Sequence, residues 1–273
     1  MYDVPAMREL LERAGALAMR HFLRVTPSWK ANATYVTEAD LAVQAFLKEE
    51  LVARFPDDGI VAEEAQLRKE PRAGDRYWVV DPIDGTASFV AGLPAWGIAL
   101  GLLAGDEPVA GFFWMPVSKD FFHTRPDGGA YRNDRRARIK ALEPLHSESV
   151  LLAHSRLHHG YAIAPGFPGK VRGMGSAVAH LCYVATGSAD AALMGHEYVW
   201  DLAAGAALLH RTGGVLKYLD GPPVSLGALL RSGGQAPYPM LAGHPEAVAR
   251  FESLITYVAP SPVEGSESPG GNA

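Results

Sequence analysis

Hydrophobic residues recur along the first part of the chain with the spacing of amphipathic helices. Six apolar residues at intervals of three and four predict a first helix over residues 5–24: Met7, Leu10, Leu11, Ala14, Leu17 and Ala18. A second helix is predicted to begin after Thr37, whose hydroxyl suits a capping position, and to end at Pro56. Both helices are therefore expected to bury one apolar face.

Short apolar runs between turn residues predict strands in the next part of the chain. Two strands are predicted at residues 59–63 and 77–80, and the second is expected to stop at Pro82 because proline cannot donate a ladder hydrogen bond. Three further runs, separated by turn residues, predict an antiparallel meander at residues 96–103, 109–115 and 121–124.

Strands and helices alternate in the remainder of the chain. Strands are predicted at residues 150–154, 191–194, 215–219 and 240–242, and helices at residues 177–186, 202–211 and 245–258. Residues 142–147 have the character of a connection, and residues 261–273, rich in Ser, Gly, Pro and Glu, are predicted to be a disordered tail. We therefore predict an α+β half over residues 1–141 and an α/β half over residues 142–260.

Composition excludes several classes of protein. The 273 residues contain 25 Lys and Arg against 30 Asp and Glu, a net charge of −5, whereas nucleic-acid binding needs a basic surface. The single cysteine, Cys182, excludes a disulfide scaffold and a cysteine-based zinc site. No apolar run approaches the roughly 20 residues that span a bilayer, and the first residues lack a signal-peptide pattern. We expect a cytoplasmic protein with neither nucleic acid nor membrane as partner.

The most informative segment is Asp81-Pro82-Ile83-Asp84-Gly85-Thr86. A buried strand is predicted to deliver Asp81, and the turn at the proline leaves Asp84 close enough to share a cation with it. The same turn leaves the Ile83 carbonyl without a strand partner, and carboxylate and carbonyl oxygens are the ligands that Mg²⁺ prefers. Gly85 and Thr86 are expected to open a short helix or turn whose amides point at an anion.

Three further acidic positions lie at a strand end or a helix start: Asp40, Glu63 (followed by Glu64) and Asp201. Each has an ordinary explanation when taken alone, because Asp40 and Asp201 suit helix capping and the glutamate pair suits a solvated surface. In layered α/β folds, however, such positions converge on the crevice where ligands bind. A cluster of these acids would require divalent cations, and a multi-metal site of this kind binds phosphate and activates water.

Taken in order, the motifs resemble those of the inositol monophosphatase family of Mg²⁺-dependent, lithium-sensitive phosphatases over residues 5–258. The motifs are Thr37-Glu38-Ala39-Asp40, Glu63-Glu64, the segment 81–86 and Trp200-Asp201-Leu202-Ala203-Ala204-Gly205. The resemblance implies a layered α-β-α-β-α sandwich of the sugar-phosphatase type, usually a homodimer. It also implies hydrolysis of a small phosphorylated metabolite with two or three Mg²⁺ ions per site, with Mn²⁺ as a substitute and Li⁺ and Ca²⁺ as inhibitors.

The resemblance also implies residue roles. Two metal sites are implied, the first held by Glu63, Asp81 and the Ile83 carbonyl and the second by Asp81, Asp84 and Asp201. A third, weaker metal would be supported by Asp40 and Glu63. Thr86, together with Asp40 or Glu63, would orient and deprotonate the attacking water, which makes these three the catalytic residues. Contacts with phosphate or substrate are implied at Asp84, Gly85, Thr86, Ser176 and Asp201.

Two departures from the family pattern leave the substrate open. Ala62 stands where a glycine usually precedes the glutamate pair. The acidic residue that contacts the inositol ring has no clear counterpart, since Leu193 or Met194 falls at its place. Glu197 could substitute for it, but at a different spacing from the Trp-Asp motif.

Several functions therefore stay open. A substrate like inositol 1-monophosphate is the leading expectation, with histidinol phosphate, fructose 1,6-bisphosphate or a 3′-phosphonucleotide as alternatives. The segment 92–97 resembles histidinol-phosphate phosphatases of the same superfamily. A haloacid-dehalogenase-type phosphatase would use Asp81 as a nucleophile, but two residues, not one, separate Asp81 from Asp84. A phosphate- or metal-responsive binding protein is the non-enzyme alternative.

Overall fold

A computed structural model describes residues 2–29, 35–63, 69–70, 74–141, 143–155 and 160–258. Within these residues the helices are α1 (Val4–Met19), α2 (Glu38–Arg54), α3 (Thr86–Val90), α4 (Ala177–Ala185), α5 (Val199–Arg211), α6 (Leu226–Arg231) and α7 (Pro245–Glu252). The strands are β1 (Ser28–Trp29), β2 (Tyr35–Val36), β3 (Gly59–Ala62), β4 (Arg76–Asp84), β5 (Gly97–Ala104), β6 (Glu107–Met115), β7 (Asp120–Thr124), β8 (Ala130–Arg132), β9 (Arg135–Arg136), β10 (Val150–Ala153), β11 (Tyr161–Ile163), β12 (Lys170–Arg172), β13 (Ala191–Met194), β14 (Val215–Tyr218), β15 (Met240–Gly243) and β16 (Ile255–Tyr257).

The larger sheet has seven strands in the order β3-β4-β5-β6-β7-β8-β9, and it contains the predicted meander. β3 and β4 are parallel, whereas each later neighbour is antiparallel. Side chains alternate between its two faces, as the pleat requires. One face packs with α1 and α2 through Trp78, Val80 and Phe112. The other face packs with α4 and α5 through Val79 and Phe113. Both faces are therefore buried, which explains the nearly continuous apolar runs.

The smaller sheet has five strands in the order β12-β10-β13-β15-β14. β10 is parallel to β12 and β13, and β15 runs antiparallel to β13 and β14. α4 and α5 lie between the two sheets, and α7 covers the outer face of the smaller one. The layers are thus α1/α2, seven strands, α4/α5, five strands and α7, which confirms the α-β-α-β-α sandwich.

Close packing of α5 on the larger sheet depends on Gly111 in β6. A Cβ atom at this position would lie 2.1 Å from the carbonyl oxygen of Ala204, which is far shorter than any non-bonded contact. A residue with a side chain would therefore push the helix away from the sheet. Asp201 lies in the first turn of α5, so the close contact also fixes how far Asp201 lies from the strands.

The predicted end of the second strand at Pro82 is wrong. β4 passes through the proline to Asp84, and its pairing with β5 shifts register between Asp81 and Asp84. The irregularity accommodates a residue that lacks an N–H, because an unpaired position in a bulge needs no ladder bond. Both aspartates therefore remain on one strand rather than on a strand and a following turn.

Other boundaries differ from the predicted ones at helix ends. α1 ends at Met19, five residues before the predicted end, and α5 begins at Val199 rather than at residue 202. The last predicted helix stops at Glu252, and β16 follows it and pairs with β11. None of the described helices has the length and apolar character needed to cross a membrane. The proposed boundary at residue 142 and the tail over residues 261–273 remain predictions, since both Leu142 and the tail lie outside the described residues.

Candidate metal centre and active site

Three aspartates meet where the larger sheet faces the central helices. Asp81 and Asp84 lie at the carboxyl end of β4, and Asp201 lies in the first turn of α5. One carboxylate oxygen from each lies within 4.8 Å of the others, and Asp81 and Asp84 are buried. Three oxygen donors at this spacing fit a divalent cation that prefers hard ligands. The structure thus brings together the three carboxylates that were predicted to share the second metal.

Asp84 is held by the beginning of α4. The Ser176 hydroxyl donates a hydrogen bond to Asp84 Oδ2, the Ala177 N–H donates to Oδ1 at 3.0 Å, and the Val178 N–H donates to Oδ2 at 3.0 Å. First-turn amides of a helix have no partner within the helix, so a carboxylate can satisfy them. Ser176 also caps α4 by accepting from Ala179 N–H at 3.0 Å. Its predicted contact with substrate stays a prediction.

Thr86 links the Ile83 carbonyl to Asp40. Its Oγ1 lies 3.1 Å from the Ile83 carbonyl oxygen and 3.3 Å from Asp40 Oδ1, so the single hydroxyl proton can serve either acceptor. The Ile83 carbonyl keeps a second lone pair for a cation, as a carbonyl oxygen has two. The neighbouring Ile83 N–H donates to Asp81 Oδ1 at 3.0 Å, which orients that carboxylate.

Asp40 has two different roles, one for each carboxylate oxygen. Its Oδ2 accepts from the backbone N–H of Thr37 at 2.8 Å and from the Thr37 hydroxyl at 2.6 Å. This is the capping role that the sequence alone suggested. Its Oδ1 faces Thr86, so the other half of the buried carboxylate belongs to the site. The capping interpretation is therefore confirmed, whereas the catalytic and metal-supporting role of Asp40 stays a prediction.

Gly85 turns the chain between β4 and α3. Its φ of +89° lies in the left-handed region, and a Cβ atom there would lie 2.8 Å from the Gly175 carbonyl oxygen and 3.0 Å from that of Ala95. Only glycine meets both conditions at low cost. The predicted contact of the Gly85 and Thr86 amides with phosphate stays a prediction.

Two glutamates flank the aspartates. Glu63 follows β3 and is partly buried, whereas its neighbour Glu64 lies outside the described residues. Glu197 follows β13, and its Oε1 accepts from the Gly195 N–H at 3.2 Å. The sequence suggested Glu197 only as a substitute for the missing acidic contact to the inositol ring, and it is the one acidic residue between β13 and Asp201.

Burial raises the pKa of all three aspartates. Burial first, and then the carboxylates of Glu63, Asp84 and other neighbours, holds the pKa of Asp81 well above its usual range. Burial, followed by the charge of Glu197, does the same for the pKa of Asp201. Burial raises the pKa of Asp84 from 3.8 to about 7, although the hydrogen bonds from Ser176 and α4 oppose the rise. Without a cation, the cluster therefore holds protons near neutral pH, which metal binding would release.

Known proteins resemble this chain in sequence and in fold. A family model described as the inositol monophosphatase family matches residues 5–247. An inositol-1-monophosphatase of Rhizobium meliloti is 33% identical over 220 residues, which cover 76% of this chain and 82% of the relative. A histidinol-phosphatase of Chlorobaculum parvum is 30% identical over 224 residues, covering 78% and 84% of the two chains.

Solved structures agree with this assignment. The crystal structure of the extragenic suppressor protein suhB of Bartonella henselae has a TM-score of 0.76 with 25% identity, covering 91% of this chain and 96% of that one. The layers, the acidic cluster and the relatives all lead to one conclusion: the chain belongs to the inositol monophosphatase family, whose members are phosphoric monoester hydrolases.

Proposed function

We propose that the chain is a Mg²⁺-dependent phosphomonoesterase that hydrolyses a small phosphorylated metabolite resembling inositol 1-monophosphate. The observation that carries the proposal is the cluster of Asp81, Asp84 and Asp201, whose carboxylate oxygens lie within 4.8 Å of one another. Such a buried acidic cluster is costly unless cations neutralise it. The family gives the reaction class, and the cluster gives the reason for the metal.

Oxygen atoms of this chain would hold the cations. Glu63, Asp81 and the Ile83 carbonyl are proposed for the first Mg²⁺, and Asp81, Asp84 and Asp201 for the second. Asp40 and Glu63 are proposed to support a third. When bound, Mg²⁺ supplies positive charge that attracts phosphate, lowers the pKa of water and stabilises charge on the leaving oxygen. Mn²⁺ is proposed as a substitute, and Li⁺ and Ca²⁺ as inhibitors.

Thr86 is proposed to orient the attacking water. Its hydroxyl can donate to Asp40 Oδ1, 3.3 Å away, while accepting a hydrogen bond from the water. The water proton can then move along this path to the carboxylate, with Glu63 as the alternative acceptor. Because Asp40 is anchored by Thr37, the path is fixed before substrate binds. The Gly85 and Thr86 amides are proposed to bind the phosphate, with no covalent enzyme intermediate.

The relatives of this chain differ in the substrates that their names give. One relative is named inositol-1-monophosphatase and another histidinol-phosphatase at similar identity, so both substrates are candidates. Fructose 1,6-bisphosphate and a 3′-phosphonucleotide are the remaining ones. A cytoplasmic homodimer without nucleic-acid or membrane partners is the accompanying proposal.

A panel of phosphomonoesters tests the proposal, with phosphate release measured with and without Mg²⁺ and Li⁺. We expect Mg²⁺-dependent release, and Asp84→Asn should reduce it at least about 100-fold because transition-state charge loses its stabilisation. Asp106→Asn is the matched control, since Asp106 is an exposed carboxylate paired with Arg231. Full activity of Asp84→Asn would show that the mechanism is wrong. No hydrolysis by the wild type would favour a binding protein, and a trapped phosphate on Asp81 would favour the dehalogenase-type mechanism.

A further inference from the structure

A buried histidine interrupts the apolar helix α4, which lies between the two sheets. Most residues of α4 are apolar and buried, as its place in the central layer requires. His180, the fourth residue of the helix, is only 3% exposed. A polar side chain at such a position is costly unless a hydrogen bond satisfies it. The hydrogen-bond partner of His180 therefore indicates what the residue does.

His180 binds the segment that leads into its own helix. Its Nε2 accepts a hydrogen bond from the backbone N–H of Met174 at 3.0 Å. Burial first, and then the neighbouring His154, lowers the pKa of His180 to about 4, so the ring is neutral near neutral pH and can accept. Met174 belongs to residues 173–176, which join β12 to α4 and are called the entry turn below. The histidine ring thus ties the entry turn to the helix that follows it.

The entry turn also contacts the proposed active site at two points. The Gly175 carbonyl oxygen lies so close to Gly85 that a Cβ atom on Gly85 would be 2.8 Å from it. The next residue, Ser176, donates a hydrogen bond to Asp84. The entry turn therefore lies between the histidine ring on one side and the turn before α3 and a proposed metal ligand on the other.

The backbone of the entry turn is inherently flexible, because two of its four residues are glycine. Gly173 and Gly175 are both exposed, and Gly175 has a φ of +79°, in the left-handed region. Glycine loses more conformational freedom on folding than any other residue. Met174 stands between the two glycines, so a hydrogen bond to its N–H restrains the most flexible part of the segment. The position of the Ser176 hydroxyl depends on this restraint.

We propose that His180 is a positioning residue for the second metal site. By holding the Met174 N–H it fixes the entry turn, and the entry turn places the Ser176 hydroxyl against Asp84. The inference rests on the proposed function, because it takes Asp84 as a ligand of Mg²⁺. Groups that hydrogen-bond to a metal ligand fix its orientation, and their loss typically lowers metal affinity about 10–100-fold. Because His180 acts one step farther out, we expect the lower end of this range.

Substitutions of His180 separate its hydrogen bond from the space that the ring fills. His180→Leu and His180→Met fill a similar volume without an acceptor, and either one suffices if the other does not fold. His180→Gln keeps an acceptor, since its amide oxygen is as many bonds from Cβ as Nε2 is. His210→Leu, at an exposed histidine in the last turn of α5, is the matched control. Thermal unfolding checks the fold of each variant.

Calorimetric titration of the metal-free protein with Mg²⁺ gives a readout that needs no substrate. We expect His180→Leu to weaken Mg²⁺ binding about tenfold, and His180→Gln and His210→Leu to bind like the wild type. Phosphate release from the best substrate of the panel gives a second readout. The leucine variant should need about tenfold more Mg²⁺ for half-maximal release, but at saturating Mg²⁺ its kcat and its KM for substrate should approach those of the wild type.

A double-mutant cycle tests the route through Ser176. Ser176→Ala, His180→Leu and the double variant are compared by their affinity for Mg²⁺. If His180 acts through Ser176, the double variant should lose no more affinity than Ser176→Ala alone, because the hydroxyl that His180 positions is already absent. Independent effects add, so additive losses would overturn this route.

The outcomes distinguish the inference from the proposed function. Weakened Mg²⁺ binding in the apolar variants, retained binding in His180→Gln and a non-additive cycle together support the inference. Unchanged Mg²⁺ affinity in a folded apolar variant overturns it and leaves the proposed function standing. Where neither apolar variant folds, the glutamine variant decides, since binding equal to that of the wild type supports the inference and weakened binding overturns it. A wild type that binds Mg²⁺ but hydrolyses no phosphomonoester overturns the proposed function alone, whereas a wild type that binds no Mg²⁺ overturns both.

Discussion

The metal-free protein should become less stable as the pH rises toward neutrality, and Asp84 should cause a large part of the loss. Removing divalent cations with a chelator leaves the three aspartates without a counter-ion. Asp84 is buried and its pKa is raised from 3.8 to about 7, so the folded chain holds a proton there that the unfolded chain has released. The pKa of Asp81 and that of Asp201 are raised in the same direction.

The sign and the size follow from the number of protons bound. Where the folded state binds more protons than the unfolded state, the free energy of unfolding falls by about 1.4 kcal/mol per pH unit and per proton. The stability associated with protonated Asp84 is complete below its ordinary pKa, and it is lost as the pH rises through the folded value of about 7. From about pH 5 to about pH 8 this amounts to a loss of about 3 kcal/mol. That is a large fraction of the 5–15 kcal/mol that typically stabilises a domain, so it is measurable.

His180 works in the opposite direction over part of this range. Burial first, and then the neighbouring His154, lowers the pKa of His180 from 6.5 to about 4. Its Nε2 accepts from the Met174 N–H at 3.0 Å, which requires the neutral ring. The unfolded chain binds the extra proton here, so this group favours folding as the pH rises from about 4 to 6.5. The comparison must therefore remove the contribution of His180.

Asp84→Asn provides that comparison, since it cannot titrate and keeps His180. Urea unfolding of the wild type and the variant, both with chelator, gives a difference in the free energy of unfolding at each pH. We expect the free energy of unfolding of the wild type to fall by about 3 kcal/mol relative to that of the variant between about pH 5 and pH 8. Mg²⁺ should restore wild-type stability at the higher pH and leave the variant less affected. A difference independent of pH would refute the reasoning, as would a wild type that gains stability relative to the variant.

Two further substitutions test how the fold places the acids. Gly111→Ala should lower the free energy of unfolding by about 1–3 kcal/mol, because its Cβ would lie 2.1 Å from the Ala204 carbonyl oxygen. Gly166→Ala, where a Cβ meets nothing within 4 Å, is the control, and equal urea stability of the two would contradict the close packing. Ser176→Ala should cost about 1 kcal/mol of helix capping and raise the pKa of Asp84 further. The pH at which the metal-free protein loses stability should then rise. An unchanged pH would count against the hydrogen bond from Ser176 to Asp84.

Local sequence patterns predicted most of the helices and strands because each of these elements depends on residues that are close together in the chain. The meander and the central helices follow from the spacing of apolar residues, and the meeting of Asp81 with Asp201 follows from acids at the ends of elements. Pro82 misled the prediction because the general rule places proline at a strand end. Here the pairing of β4 with β5 shifts register between Asp81 and Asp84, so the proline needs no ladder hydrogen bond. The shift depends on the partner strand rather than on the motif.

Contacts between distant segments could not be predicted in this way. Ser176 and Asp84 are 92 positions apart, and their hydrogen bond depends on how α4 packs between the two sheets. The place of Glu197 likewise depends on a distant segment, since the Ala236 N–H in the loop after α6 donates to its carbonyl at 2.8 Å. The family resemblance supplied roles only for positions that match its motifs, so a residue outside them needed the structure.

The net charge of −5 gives a misleading picture of what this site attracts. It counts Asp81, Asp84 and Asp201 as fully negative, although burial raises the pKa of each and the metal-free cluster holds protons near neutral pH. A divalent cation that replaces those protons would change the sign of the local field without altering the rest of the surface. Phosphate would then be attracted only after the metal, so we expect the metal to bind before the substrate. The cost of burying the three carboxylates would thus make phosphate binding conditional on the cation.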